Sequence, residues 1–483
     1  MKNIILLALI VFASGCQSKK SKETEKETAN KPNIVFIMVD DLGWSDLSYN
    51  GSTIYETPNI DQFAKEGVVY DNFYTAGPVC SPTRASILTG KYPVKTGVTT
   101  YLLSPERDVD YIENQLNLSE FTIAEAFQQA GYKTGYFGKW HLGYEGKHWA
   151  SHQGFDVAIG GMDLDWAWQL SHPDKPAPMV DRSKGHLRFF SPHHLTFMEN
   201  GPEGEYLTDR LTNETIKFIE ENKEEQFFAF LSFHTVHTPL QVKEDKLEKY
   251  TKKIENLGLL GKNENARGSR VYQNLPEYAA MVEHMDENVG RLINRLQELN
   301  LEENTIIVFT SDNGGKNSVT SNAPLRGAKH NLYEGGVRSP LIMRWKGKTI
   351  DNTLSHEVTV STDFYPTFLD LVGIDQIKDQ HQDGVSIKEN LFDVKTKIDR
   401  DAIYWHYPHG VFQGAIRMGD YKLVVNYKSG VEELFNLTND ISELNNLAEV
   451  EPEVHQELRT KLKDWLIDVE ANFPKEFVPE ILI

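Results

Sequence analysis

Residues 33–41 read NIVFIMVDD, an almost uninterrupted apolar run that ends in two aspartates. Such a run predicts a central strand of a parallel sheet, because a strand covered on both faces is apolar along its whole length. Similar runs at 133–138, 226–233 and 305–310 alternate with amphipathic helical segments. The alternation predicts an α/β fold with a mostly parallel central sheet flanked by helices.

The ends of the helices are also marked in the sequence. Pro58 and Pro82 stand where a first helical turn accepts proline, and Thr122 and Glu125 have the spacing of a capping box. Residues 276–299 repeat apolar side chains at helical spacing. We interpret these apolar positions as core and assign them no chemistry.

The N-terminus has the composition of an export signal. Lys2 precedes an apolar run at 4–13, too short to span a bilayer as a helix, and small residues then precede Cys16. We interpret residues 1–15 as a lipoprotein signal peptide, Cys16 as the lipidated residue, and the charged segment 16–31 as a tether. An ordinary cleaved signal peptide is the alternative. The expected location is a lipid anchor on the cell membrane, at the outer membrane or facing the periplasm, or else the soluble periplasm.

Composition restricts the possible functions. The 483 residues have a formal net charge of −20, with 40% hydrophobic and 25% charged side chains. This composition excludes disordered, collagen-like and coiled-coil proteins, and the length suggests two to three folding units. The negative charge argues against a nucleic-acid binder, although a locally basic pocket can still take an anion. If Cys16 carries lipid, Cys80 is the only other cysteine in the chain.

Polar side chains follow the predicted strands at their carboxyl ends, the edge at which open α/β sheets bind ligands. Asp40, Asp41, Asp312 and Asn313 are hard oxygen donors, and the three carboxylates would repel one another without a cation. Such a set suits Ca²⁺, with Mg²⁺ as the alternative. Each pair taken alone also fits a helix cap or a turn.

A second group of side chains at the same edge is cationic or can carry protons. Its members are Arg84, Lys139, His141, His237 and Lys329. Cys80 directly precedes a predicted helix start at Ser81-Pro82, and a helix N-terminus offers free N–H groups. Together these groups predict a pocket for an oxyanion such as sulfate or phosphate. A single histidine or lysine of this kind is more often structural.

The segment Cys80-Ser81-Pro82-Thr83-Arg84 resembles the Cys-x-Pro-x-Arg signature of the type I sulfatases, a family of the alkaline-phosphatase-like superfamily. Other segments are similar to further motifs of that family, in the family's order. They are residues 32–43, 138–143, 237–239, 311–315, 324–338, 433–437 and 445–448. The resemblance therefore covers about residues 32–448. It implies a large catalytic domain, placed at 32–382, and a small C-terminal subdomain at 383–483.

The sequence pattern changes in the C-terminal region, in agreement with this division. Short strands at 403–406, 413–417, 422–427 and 432–435 are separated by turn residues, which predicts an antiparallel four-stranded sheet. A helix is predicted to follow at about 452–470.

The resemblance also implies the chemistry. In that family the motif cysteine is oxidised to formylglycine (3-oxoalanine), so Cys80 is expected to be modified by a formylglycine-generating or anaerobic sulfatase-maturating enzyme. Hydrated formylglycine is a gem-diol, and one of its hydroxyls would attack sulfur. The implied metal ligands are Asp40, Asp41, Cys80 in its modified form, Asp312 and Asn313.

The remaining catalytic roles are implied in the same way. Arg84 would hold the diol and the metal ligands, while Lys139 and Lys329 would neutralise the sulfuryl oxygens. His237, with Lys329, would protonate the leaving oxygen. His141 would take the proton of the second hydroxyl, which releases sulfate.

The substrate is predicted only by class. The lipoprotein signal resembles those of sulfatases from polysaccharide-degrading bacteria, which favours a sulfated polysaccharide or oligosaccharide, with an algal glycan such as ulvan as one candidate. The predicted substrate contacts are Asp165, Trp166, Trp168, Arg338 and His406, although the tryptophan loop could instead be packed. The rival classes are a related phosphoesterase or phosphonate hydrolase and a non-catalytic glycan-binding lipoprotein.

Overall fold

A computed structural model of the chain describes residues 31–102, 113–143, 146–161, 189–193, 195–266, 268–377, 380, 383–475 and 478–482. The predictions for Cys16, Asp165, Trp166 and Trp168 lie outside these residues. No helix among the described residues combines the length and the apolar character needed to cross a membrane.

The strands fall into one large sheet, one small sheet and two short ribbons. In chain order they are β1 (Asn33–Val39), β2 (Val68–Tyr70), β3 (Phe73–Tyr74), β4 (Lys133–Lys139), β5 (Val157–Gly161), β6 (Phe227–Ser232), β7 (Asn265–Ala266), β8 (Ser269–Arg270), β9 (Thr305–Ser311), β10 (Leu341–Trp345), β11 (Thr353–Ser355), β12 (Thr359–Val360), β13 (Ile403–Tyr407), β14 (Gln413–Met418), β15 (Tyr421–Asn426) and β16 (Glu432–Asn436).

The helices lie between these strands along the chain. In chain order they are α1 (Pro58–Lys65), α2 (Cys80–Thr89), α3 (Pro93–Thr96), α4 (Ile123–Gln129), α5 (Leu207–Glu221), α6 (Glu244–Asn256), α7 (Pro276–Glu298), α8 (Glu334–Val337), α9 (Phe364–Val372), α10 (Lys388–Phe392) and α11 (Pro452–Asp468). The capping box predicted at Thr122 is present, since Glu125 N–H donates to the Thr122 hydroxyl and Thr122 N–H donates to the Glu125 carboxylate.

The large sheet has the strand order β11-β2-β10-β9-β1-β6-β4-β5. Strand β1 pairs in parallel with β9 on one side and with β6 on the other. Within the described residues β10 is the strand of this sheet that runs against the rest, because it pairs antiparallel with both β9 and β2. The prediction of a mostly parallel central sheet is confirmed.

Both faces of the large sheet are covered, which explains why its central strands are apolar along their length. Val35, Ile37 and Val39 of β1 lie in one buried cluster with residues of α5, α6 and α7. The intervening Ile34, Phe36 and Met38 lie in a second cluster with residues of α2, α4 and α9. Each side chain is fully buried, and such burial contributes about 1.5–3 kcal/mol per large apolar residue. The helices therefore hold the strand ends in a fixed arrangement.

The small sheet is antiparallel throughout, in the order β13-β14-β15-β16, as predicted. Helix α11 covers one of its faces through Leu458, Leu462 and Leu466. The other face packs on the large domain, where Trp405 and Val424 are among the residues in contact with the segments around Tyr74 and Leu332. This second contact brings the small sheet against the segments that carry the candidate active site.

The structure shifts one predicted helix boundary, whereas the domain division at residue 382 stays a prediction. The expected division after residue 382 precedes α10, yet Ile387 and Leu391 still pack in the core of the large sheet. The small sheet itself begins at Ile403. Helix α2 begins at Cys80 and not at Ser81, with Val79 in extended conformation before it.

Candidate active site

The carboxyl ends of four adjacent parallel strands carry the polar residues picked out from the sequence. Asp40 and Asp41 follow β1, Asp312 follows β9, Lys139 is the last residue of β4, and His237 lies in the segment after β6. Because the strand order is β9-β1-β6-β4, these ends are neighbours. The predicted convergence at one edge of the sheet is therefore present in the structure.

Backbone geometry turns the segments after β1 and β9 toward each other. Asp41 has a left-handed backbone, with φ of 62°, and its N–H donates to Asp312 Oδ1 at 3.1 Å. Asn313 Nδ2 donates to Asp41 Oδ1 at 2.8 Å. A left-handed aspartate costs roughly 1–2 kcal/mol, and here the conformation is fixed by hydrogen bonds from both strand ends.

Four side chains form a compact buried acid–thiol cluster. Asp40, Asp41, Cys80 and Asp312 place one potential ligand atom each within 4.8 Å of one another. Two oxygens beside this cluster, Asp41 Oδ2 and Asn313 Oδ1, are buried and accept no hydrogen bond from the described residues. Buried oxygens without donors are costly unless something else satisfies them. Hard oxygens in this arrangement fit a divalent cation of the Ca²⁺ or Mg²⁺ type.

Two lysines flank Cys80 and neutralise the neighbouring carboxylates. Lys139 Nζ lies 2.6 Å from Asp40 Oδ2 and 3.7 Å from Cys80 Sγ. Lys329 Nζ lies 2.5 Å from Asp41 Oδ1 and 3.3 Å from Cys80 Sγ. An anion held next to residue 80 would therefore meet an ammonium group on each of two sides.

Arg84 lies about one helical turn after Cys80 and acts within the protein. Its Nε and Nη2 donate to Asp312 Oδ2 at 3.0 and 2.7 Å. Its Nη1 donates at 2.7 Å both to the Lys139 carbonyl and to Ser232 Oγ. Arg84 therefore ties α2 to the ends of β9, β4 and β6 and orients a predicted metal ligand.

The electrostatic environment shifts the pKa of Asp40 and the pKa of the Cys80 thiol in opposite directions. Burial alone would raise the pKa of Asp40, but the positive charges of Lys139, His237 and Arg84 outweigh it and lower that pKa well below its usual range. For Cys80, burial together with the negative charges of Asp312 and Asp40 raises the thiol pKa well above its usual value. These neighbouring groups therefore favour the neutral thiol form of an unmodified Cys80.

The two histidines present different ring nitrogens to their acceptors. His237 Nδ1 lies 2.6 Å from the Thr238 carbonyl oxygen, and its Nε2 lies 3.6 Å from Asp41 Oδ2. His141, whose backbone is left-handed with φ of 57°, places Nε2 2.9 Å from the Leu102 carbonyl oxygen. Since a carbonyl only accepts, Nδ1 of His237 and Nε2 of His141 carry the hydrogen.

The structure also shows site residues that were not expected. Ser232 is the last residue of β6 and accepts from Arg84, a position that the rule for strand ends could have singled out. His330 follows Lys329, and its Nδ1 lies 3.5 Å from the hydroxyl of Tyr407 in the small sheet. The ring of Tyr101 packs edge-on against His330, with centroids 5.4 Å apart. No local sequence signal identifies the last three, because they meet only through domain packing.

Two predicted substrate contacts need correction. Arg338 is buried and donates to Glu334, to the Asp71 carbonyl, and to the side chains of Asn72 and Tyr74. His406 is also buried, in the small sheet.

Both ring nitrogens of His406 are used. Its Nδ1 lies 3.0 Å from the Tyr427 hydroxyl and its Nε2 lies 2.9 Å from the Asn472 carbonyl. Arg338 and His406 are therefore structural, because their polar atoms are already bound inside the protein.

Comparison with known proteins identifies the family of this chain. The family model described as Sulfatase matches residues 32–374, and the one described as N-sulphoglucosamine sulphohydrolase, C-terminal, matches residues 328–472. A sulfatase of Formosa agariphila is 31% identical over 522 residues, which cover 92% of this chain and 91% of that protein. The N-acetylgalactosamine-6-sulfatase of Mus musculus is 31% identical over 406 residues, covering 81% of this chain and 71% of that protein.

A solved structure has a fold similar to that of this chain. The crystal structure of Ps i-CgsB in complex with k-i-k-neocarrahexaose superposes with a TM-score of 0.75 at 28% identity, covering 93% of this chain and 96% of that chain. Sequence, fold and the buried acid–thiol cluster lead to one assignment: the chain belongs to the sulfatase family of the alkaline-phosphatase-like superfamily and is a sulfuric ester hydrolase.

Proposed function

We propose that this sulfatase hydrolyses sulfate esters of a sulfated polysaccharide or oligosaccharide, with a formylglycine made from Cys80 and a bound divalent cation. The observation that carries the proposal is the position of Cys80. Its sulfur lies 3.4 Å from Asp40 Oδ1 and has a lysine ammonium group on each of two sides. A nucleophile at this position would face both the cation ligands and the groups that bind an anion.

The groups around Cys80 disfavour a thiolate nucleophile at this position. A buried thiol beside Asp40 and Asp312 resists ionisation, so the unmodified side chain is unsuited to attack sulfur. Hydrated formylglycine would supply an oxygen nucleophile in its place. Modification requires a formylglycine-generating or anaerobic sulfatase-maturating enzyme as a partner.

The divalent cation would be held by Asp40, Asp41, Asp312 and Asn313. When bound, it would polarise an ester oxygen and stabilise the negative charge that develops on it. The two buried oxygens that lack donors, Asp41 Oδ2 and Asn313 Oδ1, support this ligand set. Oxygen ligands and an exported setting favour Ca²⁺ over Mg²⁺.

The chain's own residues would bind the ester and move protons. Lys139 and Lys329 would bind the sulfuryl oxygens, because their ammonium groups already surround the position of residue 80. His237, whose Nδ1 carries a hydrogen, can donate a second proton from Nε2 to the leaving oxygen when it is an imidazolium ion. His141, with its hydrogen on Nε2, offers Nδ1 as the base. Arg84 keeps Asp312 in place.

Carbohydrate substrates are favoured by the relatives. The mouse protein is an N-acetylgalactosamine-6-sulfatase, and Ps i-CgsB holds k-i-k-neocarrahexaose. Tyr101 and Tyr407 contact His330, the residue after Lys329, and these three rings could contact a sugar ring. An algal glycan such as ulvan is one candidate. In the cell we propose an exported protein with Cys16 as its lipid-bearing residue, which rests on the composition of the N-terminus.

Release of sulfate from a panel of sulfated oligosaccharides tests the substrate class. We expect at least one sulfated glycan to be hydrolysed, and an aryl sulfate to be cleaved faster than the matching aryl phosphate. The unsulfated glycans serve as blanks. A faster phosphatase reaction would favour the phosphoesterase alternative, and no sulfate release from any glycan or aryl ester by mature protein would favour the glycan-binding alternative.

Removal of the cation should abolish activity. Without a cation, the three buried carboxylates keep Arg84, Lys139 and Lys329 as partners, with His237 3.6 Å from Asp41, so the two lysines remain bound to Asp40 and Asp41. We expect a chelator to eliminate aryl sulfate hydrolysis and to lower the thermal midpoint, and Ca²⁺ to restore both more effectively than Mg²⁺. Full activity after exhaustive chelation, with no metal detected by elemental analysis, would contradict the proposed cation.

A further inference from the structure

A cavity of about 650 Å³, separate from the candidate active site, lies between the large sheet and the small sheet. It is lined by the segment after β2, by residues 397–403 leading into β13, and by the turn between β14 and β15. None of its lining residues belongs to the candidate active site. Its size is within the range of ligand pockets for small molecules.

The cavity and the active site lie at opposite ends of β13. Ile403, its first residue, pairs with Arg417 and lines the cavity, whereas Tyr407, its last, contacts His330 beside the active site. Four residues at about 3.4 Å each separate these ends by roughly 13 Å. The cavity is therefore a separate place on the molecule.

Arg417 places a buried guanidinium group in the inner wall of the cavity. It is only 6% exposed. Its Nε donates to the Gly419 carbonyl at 3.3 Å, and its Nη1 donates to Asn72 Oδ1 at 3.1 Å and to the Tyr74 hydroxyl. Among the described residues its Nη2 has no hydrogen-bond partner, and no carboxylate lies within ion-pair distance. Its buried positive charge thus contacts only neutral oxygens.

A second guanidinium lies next to it. Arg338 donates to the same two acceptors, Asn72 Oδ1 at 2.9 Å and the Tyr74 hydroxyl at 3.0 Å. The charge of Arg338 is paired with Glu334 at 2.7 Å, so this carboxylate is already engaged.

The nearby carboxylates pair directly with other cations, although the charge of Arg417, with those of Lys422 and Arg338, lowers the pKa of Glu334 against the effect of burial. Glu334 also pairs with Lys422, at 2.7 Å, and Lys422 lies 3.1 Å from Glu443. Burial and the charge of Glu334 raise the pKa of Glu443 to about 7, against the opposing effect of Lys422. Two arginines and a lysine therefore share two carboxylates, one of which is partly protonated near neutral pH.

Most other ionisable side chains around the cavity have an ion-pair partner among the described residues, and Asp420 is the exception. His356 lies 2.7 Å from Asp71 and Lys397 lies 2.6 Å from Glu357, while Arg400 pairs with Asp363 and Asp401 with Lys461. Asp420 is exposed at the rim and accepts from the Thr438 hydroxyl at 2.8 Å. Arg417 is thus the cation of the inner wall without a carboxylate at ion-pair distance among the described residues, although Glu334 attracts it from farther away.

We propose that this cavity binds the sulfate or carboxylate group of an acidic saccharide. Arg417 would hold the oxyanion through its unused Nη2, since a guanidinium matches the planar pairs of oxygens in such groups. Asp420 and Thr438 at the rim would accept or donate hydrogen bonds to sugar hydroxyls. The oxyanion part rests on the geometry of Arg417, and the saccharide part rests on the proposed glycan substrate.

Calorimetric titration of the full-length Cys80→Ser protein tests the proposal without turnover. The probes are inorganic sulfate, a galactoside 6-sulfate, a glucuronide and the unsulfated galactoside. In the Cys80→Ser parent we expect two binding events for the charged sugars. When Arg417→Gln is added to this parent, the affinity of one event should fall by about 10- to 100-fold. The matched Arg459→Gln variant, whose arginine pairs with Glu432 at 3.0 Å on the same subdomain, should keep both events.

Several outcomes would overturn the proposal. If the parent and Arg417→Gln bound the probes equally, Arg417 would not be part of the binding site. If inorganic sulfate bound as tightly as the sulfated sugar, the site would not recognise a saccharide. Arg417→Gln in the catalytically competent chain should retain aryl sulfate hydrolysis, which shows that it folds, and Arg417→Lys should recover part of the binding. Because binding is measured without turnover, failure of the catalytic proposal is seen separately, as absence of sulfate release by the unaltered protein.

Discussion

Cys80→Ser is expected to reduce sulfate ester hydrolysis by about ten-thousandfold or more while the fold is retained. A serine offers one hydroxyl where hydrated formylglycine offers two, so a sulfate group transferred to it would have no second hydroxyl to expel it. Its oxygen can still accept hydrogen bonds from Lys139 and Lys329, which lie 3.7 and 3.3 Å from the present sulfur. The measurements are initial rates on an aryl sulfate and the thermal midpoint.

The chain's other cysteine provides the matched control. Cys16→Ser should leave hydrolysis unchanged in detergent-solubilised protein. Mass spectrometry of the peptide that contains residue 80, prepared from the native host, should show formylglycine in the active protein. An unmodified thiol in fully active protein, or a Cys80→Ser variant with parental rates, would contradict the proposed nucleophile. A variant that loses its secondary structure would contradict a purely chemical role for Cys80.

Lys422→Met is expected to lower the free energy of unfolding by about 3 kcal/mol, because it leaves Glu443 without an ion-pair partner among the described residues and takes from Glu334 one of its two. Lys422 and Glu334 are both fully buried, and Lys422 also contacts Glu443. Glu334 begins α8, and the carbonyl of Gly336 in that helix accepts from the Gly314 N–H, next to Asn313. We therefore expect the variant to lose hydrolytic rate as well. Denaturant unfolding and initial rates measure both effects.

A surface ion pair of the same subdomain is the control for this variant. Lys461 pairs with the exposed Asp401, and Lys461→Met should cost less than about 1 kcal/mol. Adding Glu443→Gln to Lys422→Met removes one of the stranded carboxylates and should recover part of the stability. If Lys422→Met lay within 1 kcal/mol of the parent, the buried network would not connect the two sheets as described.

Much of the catalytic centre could be predicted because one geometric rule governs it. Parallel strands that are apolar on both faces are easily recognised, and the residues that follow them meet at one edge. This rule predicts the positions of Asp40, Lys139 and Asp312 from the sequence. Their common position is confirmed by distances between 2.6 and 3.8 Å that connect them through Arg84 and Cys80.

The predicted substrate contacts were less successful because they depend on packing between domains. His406 and Tyr407 are neighbours in β13, and successive strand residues point to opposite faces. His406 therefore faces Tyr427, whereas Tyr407 reaches His330 beside the active site. Nothing in the local pattern says which face of an edge strand meets the large domain. Arg338 was misjudged for a related reason, since its acceptors Asn72 and Tyr74 are distant in sequence.

The side chain at position 80 is 1% exposed and belongs to a helix in which every residue is buried. A modifying enzyme could not reach this thiol in the folded protein, because the strand ends, Lys139 and Lys329 enclose it. If Cys80 is converted to formylglycine as proposed, its oxidation is therefore expected on the nascent or still unfolded polypeptide. In that case the rate of folding, relative to the rate of modification, would set the fraction of molecules that becomes active.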